Sequence, residues 1–384
     1  MNCVYLANVV IDPDDIPERV PAWAEAGRLR AMEMLGLLAG SGLFRKIHLV
    51  AQGRGRKRGW YAARTVDKGT YTVVYLPVLA YGAFIRNLSA IVLTTWWLIR
   101  HVKKRDVVVA YNGDPMKAVP VLLTRFVLRF RLVMQFEELY NGLGLKFTLH
   151  KIFERIMARI ADGFVVSSVG TRDQLHLPRD PKRLASSSGY TPVYPDVCRG
   201  APTAESTPLG LLYAGKLDEE RGLREFIDLF LATKGDAKLV ITGSGPLEAH
   251  VRRMAAREER LEYLGMLPEP DFAAAVRDAF ICVNPQPTDH RFTNLSFPSK
   301  VVNFLSQGKP VLTTKTVSLL GSPYGDMVVF YDDRSVESLQ MALDWIGRNK
   351  LRLATEAEQF PGRVRAIKRQ EELSVRRVLE NVCA

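Results

Sequence analysis

The sequence predicts an α/β protein with two parallel-sheet domains, and three observations lead to this expectation. Short apolar runs rich in β-branched residues alternate with longer helical patterns along the chain. A small, polar, proline-containing stretch interrupts the alternation at residues 199–208, after which it restarts. The length of 384 residues is that of two domains. We therefore predict a first domain over 1–198, a linker over 199–208, a second domain over 209–348, and a helical segment over 349–384 that packs back on the first domain.

The individual elements follow from these patterns. In the first half, strands are expected at residues 3–7, 47–51, 72–76, 107–111, 131–136 and 163–167, and helices at 24–39, 86–104, 115–128 and 146–160. In the second half, strands are expected at 209–214, 238–242, 261–264, 280–284, 310–313 and 327–331, and helices at 220–232, 246–258, 270–278, 298–307, 335–348 and 362–382. Two open parallel sheets leave a cleft between them, and ligands bind beyond the carboxyl ends of such strands. We expect the site there.

Composition narrows the class of protein. The hydrophobic fraction of 47% and the charged fraction of 24% are typical of a folded globular chain, and the formal net charge of +12 suits an anionic partner. Because no basic–aromatic motif accompanies the charge, we expect no nucleic-acid partner. The four scattered cysteines indicate neither a zinc site nor a disulfide framework. With a first segment that reads as a strand rather than a signal peptide, these features predict a cytoplasmic protein.

The most informative segment runs from Ser296 to Val311 and reads as a loop, a short helix and the start of a strand. Pro298 suits a first helical position, and Gly308 suits the left-handed residue that ends a helix. The loop would therefore present free backbone N–H groups and the positive end of a helix dipole to an anion. Ser299 and Lys300 lie at the mouth of this expected anion site. An ordinary helix start with a solvated lysine is the alternative.

Two glycine turns are expected at the ends of neighbouring strands. In the first, Gly215 lets the backbone turn closely, and Lys216 and Arg221 would converge on one anion such as a diphosphate. In the second, the turn Gly243–Ser244–Gly245 precedes a helix and presents N–H groups to a ligand. Either could also be a strand–helix turn with no ligand.

A third strand end is expected at Leu264 and Gly265, where backbone groups could hydrogen-bond a flat base. Taken together, the motifs Gly-Lys-x4-Arg-Gly, Gly-Ser-Gly-Pro-Leu, Leu-Gly and Phe-Pro-Ser-Lys-x-x-Asn-Phe-Leu-x-x-Gly-Lys-Pro-Val occur in this order in one predicted domain. Their order and spacing resemble the nucleotide-sugar half of glycosyltransferase family 4, retaining enzymes with the GT-B fold of two Rossmann-like domains. The resemblance is good over about residues 209–331, and the Phe-Pro-Ser-Lys segment is similar to that of a subset of the family.

The resemblance implies a role for each motif. It places the donor diphosphate on Lys216 and Arg221, beside the Gly215 and Gly243–Gly245 turns, and on Ser299 and Lys300. It places the nucleoside on Leu264, Gly265 and Asn303. The basic residues occur in the order Lys then Arg, whereas Arg then Lys is usual, and the two cations differ in geometry.

The chain departs from the family at its Glu-x7-Glu motif. Alignment on Gly308 puts Leu295 and Asn303 at the two glutamate positions. An amide can still donate to and accept from ribose hydroxyls, but it lacks the charge-assisted strength of a carboxylate.

The first half supplies candidates for the reaction itself. Glu137 and Glu138 follow a predicted strand where the family often has a histidine, and a carboxylate there could accept the proton of an acceptor hydroxyl or stabilise an oxocarbenium-like transition state. A pair of surface glutamates is the alternative. Asn112 is a second candidate on the acceptor side, and Asp114 is expected to cap the helix that Pro115 begins.

One apolar segment, residues 88–99, ends in the basic run 100–105. It is too short to span a bilayer, which takes about 20 apolar residues. It reads either as a buried helix of the domain or as a helix at a membrane interface, with its tryptophans at headgroup depth and its cations on anionic lipids. The second interpretation would place the protein at the inner face of the cell membrane.

The sequence thus predicts a retaining glycosyltransferase that moves a sugar from a nucleoside-diphosphate donor, with UDP or GDP as the favoured nucleotide, to a glycan or lipid-linked acceptor. Because Lys216, Arg221 and Lys300 could neutralise the leaving diphosphate without a metal, we expect neither a metal nor another cofactor. A nucleotide-sugar 2-epimerase and a degenerate binding protein without turnover are the alternatives.

Overall fold

The computed structural model describes residues 1–20, 25–139, 145–189, 208–289 and 291–384. The chain divides into two compact units, one formed by Met1–Tyr190 with Gln370–Ala384 and the other by Thr191–Arg369. Nearly all of the predicted linker, residues 199–207, and Cys198 lie outside the described residues. Cys3, Cys282 and Cys383 are free thiols.

The first unit is built on an eight-stranded sheet. Its strands and the short strands beside them are β1 Cys3–Leu6, β2 Arg19–Val20, β3 Ile47–Ala51, β4 Arg54–Gly55, β5 Trp60–Tyr61, β6 Arg64–Asp67, β7 Thr72–Tyr75, β8 Val78–Leu79, β9 Val107–Tyr111, β10 Arg131–Phe136, β11 Gly163–Val166 and β12 Leu184–Ser186. Its helices are α1 Glu25–Gly40, α2 Ala83–His101, α3 Pro115–Leu128, α4 Leu145–Ile160 and α5 Val169–Gln174.

The strand order in this sheet is β12-β11-β10-β9-β1-β3-β7-β6, parallel except for the edge pair β6 and β7. Strands β3 and β9 lie on opposite sides of β1, so the direction in which the chain adds strands to the sheet reverses at β1. This is the topology of a doubly wound α/β domain. The buried residues of β1, β9 and β10 carry almost uninterrupted apolar side chains, as a sheet covered by helices requires.

The second unit contains a six-stranded, fully parallel sheet in the order β15-β14-β13-β16-β17-β18. The strands are β13 Gly210–Ala214, β14 Lys238–Thr242, β15 Leu261–Gly265, β16 Ile281–Asn284, β17 Val311–Thr314 and β18 Val328–Tyr331. The helices are α6 Leu223–Ala232, α7 Glu248–Ala255, α8 Glu269–Asp278, α9 Arg291–Leu295, α10 Ser299–Ser306, α11 Val317–Leu320, α12 Val336–Arg348 and α13 Lys350–Cys383. The predicted α/β class with two Rossmann-like domains is confirmed.

Helix α13 begins earlier than predicted, at Lys350 rather than residue 362, because Pro361 lies inside it without ending it. Phe360 and Val364 on either side are buried in the core of the second unit. Tertiary packing therefore holds the helix through a residue that would break it in isolation.

The last part of α13 returns to the first unit, as predicted. Val375, Val378, Leu379 and Val382 are buried in the core of that unit, and the Arg131 guanidinium donates to the carbonyl of Val382. A Cβ added to Gly163 would lie only 2.8 Å from Val378 and 2.9 Å from Val382. The helix is thus an integral part of the first core.

Helix α2 contains the apolar segment 88–99, for which the sequence left open a buried helix and a helix at a membrane interface. Trp97 and Leu98 are buried, whereas Leu88, Val92 and Trp96 are at least half exposed. The helix therefore packs through one side only. No helix in the described part of the chain is long and apolar enough to cross a membrane.

Candidate functional site

Two glycine turns of the second unit lie directly against each other at the carboxyl ends of β13 and β14. The amide of Gly215 donates to the carbonyl of Thr242 at 3.0 Å, and the amide of Leu217 donates to the carbonyl of Ser244 at 3.0 Å. A Cβ at Gly243, whose φ is +131°, would lie 1.8 Å from the Gly215 carbonyl oxygen. Only glycine fits here, and the two motifs form one surface.

Helix α10 delivers Lys300 to this surface. Its Nζ lies 1.6 Å from the position that a Cβ on Gly215 would occupy, and 5.2 Å from the centre of the Tyr213 ring. Burial, followed by the charge of Arg221, lowers the pKa of Lys300 to about 7, although the Asp218 carboxylate opposes this shift. Near neutral pH part of this lysine is therefore a neutral amine, and an anionic ligand would favour its protonation.

Two further cations converge on one carboxylate. Asp218 Oδ2 lies 2.7 Å from Lys216 Nζ and 2.7 Å from Arg221 Nη1. Asp218 Oδ1 also accepts from the Arg221 amide at 3.1 Å, which caps the short 3-10 turn Glu219–Arg221. Lys216 remains largely exposed, and Asp218 is buried.

The third predicted motif joins the same surface. The Gly243 amide donates to the Gly265 carbonyl at 2.9 Å, and the Thr242 hydroxyl donates to it at 2.7 Å. The Tyr263 hydroxyl in turn donates to the Gly243 carbonyl at 2.9 Å. Gly265 has a φ of +71°, and Leu264 is 38% exposed. The strand end is therefore fixed against the second glycine turn and presents an apolar side chain.

The start of α10 differs slightly from the prediction. Pro298 occupies the capping position, and Ser299 is the first helical residue. Asn303 lies one turn after Lys300, on the same side of the helix. Its Oδ1 accepts from Gln307 Nε2 at 2.6 Å. Leu295, at the first glutamate position of the family motif, is buried.

In the first unit, Glu137 carries a fixed ion pair. Arg30 Nε donates to Glu137 Oε2 at 2.8 Å and Arg30 Nη2 donates to Oε1 at 2.7 Å. Burial alone would lower the pKa of Arg30, but the charges of Glu137 and Glu33 raise it above its ordinary range. Glu138, the next residue, is half-buried.

Asn112 adjoins this carboxylate. It lies in the left-handed region with φ +54°, is 1% exposed, and its Oδ1 accepts from the Glu137 amide at 2.9 Å. Asn112 Nδ2 is buried and has no hydrogen-bond partner among the described residues. Asp114 caps α3 through the Met116 amide, as predicted.

The structure therefore brings together, within the second unit, Gly215, Lys216, Arg221, Gly243, Lys300 and Gly265. It brings Asn112 and Glu137 together in the first unit. Sequence reasoning missed Asp218 and Arg30. The cap position of Asp218, three residues before Arg221, was a usable signal, whereas the partner of Arg30 is 107 positions away along the chain.

Chemically, the site of the second unit can hold a polyanion. Three cationic side chains and the glycine turns surround one small region, and a helix N-terminus points its dipole there. Over the described residues, no group of three or more His, Cys, Asp or Glu side chains is placed to hold a metal ion.

Comparison with known proteins supports this picture at two levels. Residues 208–346 match the family model described as "Glycosyl transferases group 1". No curated protein sequence matches the chain.

Solved structures resemble the whole chain at low sequence identity. Sucrose-phosphate synthase from Thermosynechococcus elongatus superposes with a TM-score of 0.70 at 13% identity, covering 99% of this chain and 98% of that one. The lipopolysaccharide outer core galactosyltransferase WaaB, in its apo form, gives 0.64 at 15% identity and covers 99% of both chains. Anabaena HepE in complex with UDP gives 0.63 at 12% identity, covering 99% and 98%. The chain therefore has the GT-B fold, and its residues 208–346 match the group 1 glycosyltransferases.

Proposed function

We propose that this protein is a retaining glycosyltransferase that moves a sugar from a nucleoside-diphosphate sugar to a hydroxyl of a glycan, polysaccharide precursor or glycolipid. The observation that carries the proposal is the placement of the Lys300 amine against Gly215 and within electrostatic reach of Arg221. The match of residues 208–346 to group 1 glycosyltransferases supports it.

In the proposed reaction, the bond between the anomeric carbon and the diphosphate oxygen breaks while the acceptor oxygen bonds to the same carbon. The departing nucleoside diphosphate gains negative charge, which Lys216, Arg221 and Lys300 stabilise in place of a metal. Attack from the face that the diphosphate leaves retains the configuration without an enzyme nucleophile. Turnover should therefore be independent of metal ions.

The acceptor hydroxyl must lose its proton. We propose that Glu137 or Glu138, the two carboxylates that follow β10, accepts it. Asn112, with an unpaired buried Nδ2 beside Glu137, is the proposed contact to the acceptor or transferred sugar.

For the donor, Leu264 and Gly265 would receive the base and Asn303 the ribose hydroxyls. UDP and GDP remain the favoured nucleotides, and the UDP complex of HepE agrees with the first of them. We further propose a location at the cytoplasmic face of a membrane, where a lipid-linked acceptor would be met.

The decisive experiment is a thermal-shift panel with UDP-, GDP-, ADP- and TDP-sugars. We expect one nucleotide class to raise the unfolding temperature and Arg221→Ala to remove that shift. Arg352→Ala is the matched control, since Arg352 is an exposed arginine of the same unit that pairs with Glu356. A panel with no shift for any nucleotide would overturn the donor assignment.

Turnover is tested separately with the donor found in this way. Full transfer in excess chelator is expected, and a loss of activity that Mn²⁺ restores would refute metal independence. Conversion of the donor without an acceptor would favour the 2-epimerase, and binding without turnover would favour the degenerate binding protein.

A further inference from the structure

Helix α2 carries a long apolar stripe that no described part of the chain covers. Phe84, Leu88, Val92, Trp96 and Ile99 are 79%, 51%, 57%, 51% and 58% exposed. Their spacing of three and four residues places them on one side of the helix. This side lies opposite the buried residues Ala90, Thr94 and Trp97, which pack on the domain.

The neighbouring helices extend the stripe. Helix α3 packs against α2, and α4 packs against α3. Leu123, Phe126 and Val127 of α3 are 58%, 88% and 74% exposed, and Leu149 and Ile152 of α4 are more than 40% exposed. An exposed apolar area of this extent marks a binding surface rather than ordinary scatter. We call the exposed surface of these three helices the apolar face.

The exposed charged side chains of the three helices that form the apolar face are all positive. Helices α2 and α3 contain no acidic residue, and the only one in α4, Glu154, is 2% exposed. Exposed cations border the apolar side chains, at Arg100, Lys103, Lys104, Arg105, Arg129, Arg155 and Arg159. The Arg100 guanidinium lies over the Trp96 ring at 4.5 Å. A tryptophan that pairs with a cation at its rim suits the headgroup level of a lipid layer.

We propose that the apolar face docks on an anionic phospholipid membrane, with α2 lying in the plane of the interface. The helix has the features of an interfacial helix, namely an apolar side with Trp, Phe and Leu and basic residues alongside. A second copy of this chain is a poorer occupant, because the exposed cations of α2, α3 and α4 on two such faces would repel each other. The proposal concerns a surface of the first unit and does not rest on the transfer reaction.

The test measures co-flotation of the full-length protein with vesicles, in the absence of any nucleotide. Vesicles of phosphatidylcholine mixed with phosphatidylglycerol should bind the protein, and vesicles of phosphatidylcholine alone should bind it much less. Each cation near an anionic surface strengthens binding by about fivefold, so Lys103→Ala, Lys104→Ala and Arg105→Ala together should weaken it by roughly a hundredfold.

The apolar contribution is tested by the double variant Val92→Glu and Trp96→Glu. Both side chains are exposed, so the fold should persist, and loss of their burial in lipid should weaken binding by at least about tenfold. The matched control is Met341→Glu with Leu351→Glu, two apolar residues of the second unit that are more exposed than Val92 and Trp96. This control should bind vesicles like the wild type.

Three results would overturn the proposal. The first is that anionic vesicles do not bind the protein. The second is that they bind the wild type and the Val92→Glu, Trp96→Glu variant equally well. The third is that the wild type forms a dimer, the variant does not, and vesicles bind neither protein. The last result would assign the face to a second copy. Because no donor is present, each outcome leaves the proposed transfer reaction to its own test.

Discussion

The amine of Lys300 fills the space in which a side chain at position 215 would lie, so that a larger residue at 215 would have to displace the lysine. A Cβ at 215 would come within 1.6 Å of Nζ and 2.6 Å of Cε of the lysine. The glycine of one motif thereby determines where the cation of another, 85 positions later, can be placed.

The first prediction follows from this pair. Gly215→Ala should displace Lys300 and weaken nucleoside-diphosphate binding by about tenfold or more, because one of three cations leaves the site. Isothermal calorimetry with the preferred nucleotide measures this effect.

Gly235→Ala is the control for backbone strain. Gly235 also has a positive φ, +110°, but nothing lies within 4 Å of the added Cβ. Its cost should be of order 1–3 kcal/mol in the free energy of unfolding, with no change in affinity. Equal affinities for the two variants would contradict the role given to Lys300.

A second prediction concerns pH. The pKa of Lys300 is lowered to about 7, so above that pH the lysine of the free site is mostly a neutral amine. A bound diphosphate favours the charged ammonium, so binding above that pH requires the uptake of a proton. Affinity should therefore fall as pH rises from about 7.5 to about 9, by up to about tenfold per pH unit. The ligand does not complicate this window, since the last phosphate ionisation, with a pKa of about 6, is complete.

The groups facing Lys300 are Arg221, Asp218 and the Tyr213 ring. Calorimetry in two buffers of different ionisation heat should show proton uptake on binding at the upper end of this range. In Lys300→Met, both the uptake and the pH slope should vanish, and persistence of the slope would assign it to another group.

The third prediction concerns Asp218, whose carboxylate pairs with both Lys216 and Arg221. Asp218→Asn should retain the cap on the Arg221 amide while removing the charge that competes with a diphosphate. We expect nucleoside-diphosphate affinity to rise several-fold.

Asp218→Ala separates the cap from the charge. It should also lose about 1 kcal/mol of stability, because the cap is removed with the carboxylate. Chemical denaturation and calorimetry on both variants measure these effects. Weaker binding by Asp218→Asn would show instead that the carboxylate orients the two cations.

The fourth prediction concerns the buried pair of Arg30 and Glu137. Arg30→Met leaves Glu137 as a nearly buried carboxylate that keeps its hydrogen bond from Gln135 but loses its counter-charge, which should cost about 3–5 kcal/mol in the free energy of unfolding. The exposed pair of Arg376 and Glu380 belongs to the same unit, and Arg376→Ala should cost at most about 1 kcal/mol. Urea denaturation compares the two, and similar losses would mean that the Arg30 pair adds little stability.

Much of the fold could be predicted because burial leaves a pattern in the sequence. The central strands, such as Val107–Tyr111 and Arg131–Phe136, are found at the predicted residues, since each is a continuous apolar run between turns. Strand Arg64–Asp67 was not predicted, because it is an edge strand with mostly exposed, polar side chains. The early start of α13 was missed for a different reason, since packing around Pro361 overrides its local effect.

Part of the candidate site could likewise be predicted from the sequence, and part could not. The glycine turns could be predicted because close backbone contact admits only glycine, at Gly215 and Gly243 alike. The role of Asp218 as the shared partner of two cations depends on side-chain positions, and the pairing of Arg30 with Glu137 depends on the tertiary fold. Neither leaves a periodic signal in the chain.

Helix α13 has a consequence for the order in which the protein is built. The ribosome makes Val375, Val378, Leu379 and Val382 after every strand of the second unit, yet these side chains complete the core of the first. The N-terminal unit therefore cannot complete its core, beside the Gly163 strand, until the C-terminal unit has been synthesised. The second unit can close its own sheet first, which reverses the usual sequence of co-translational folding.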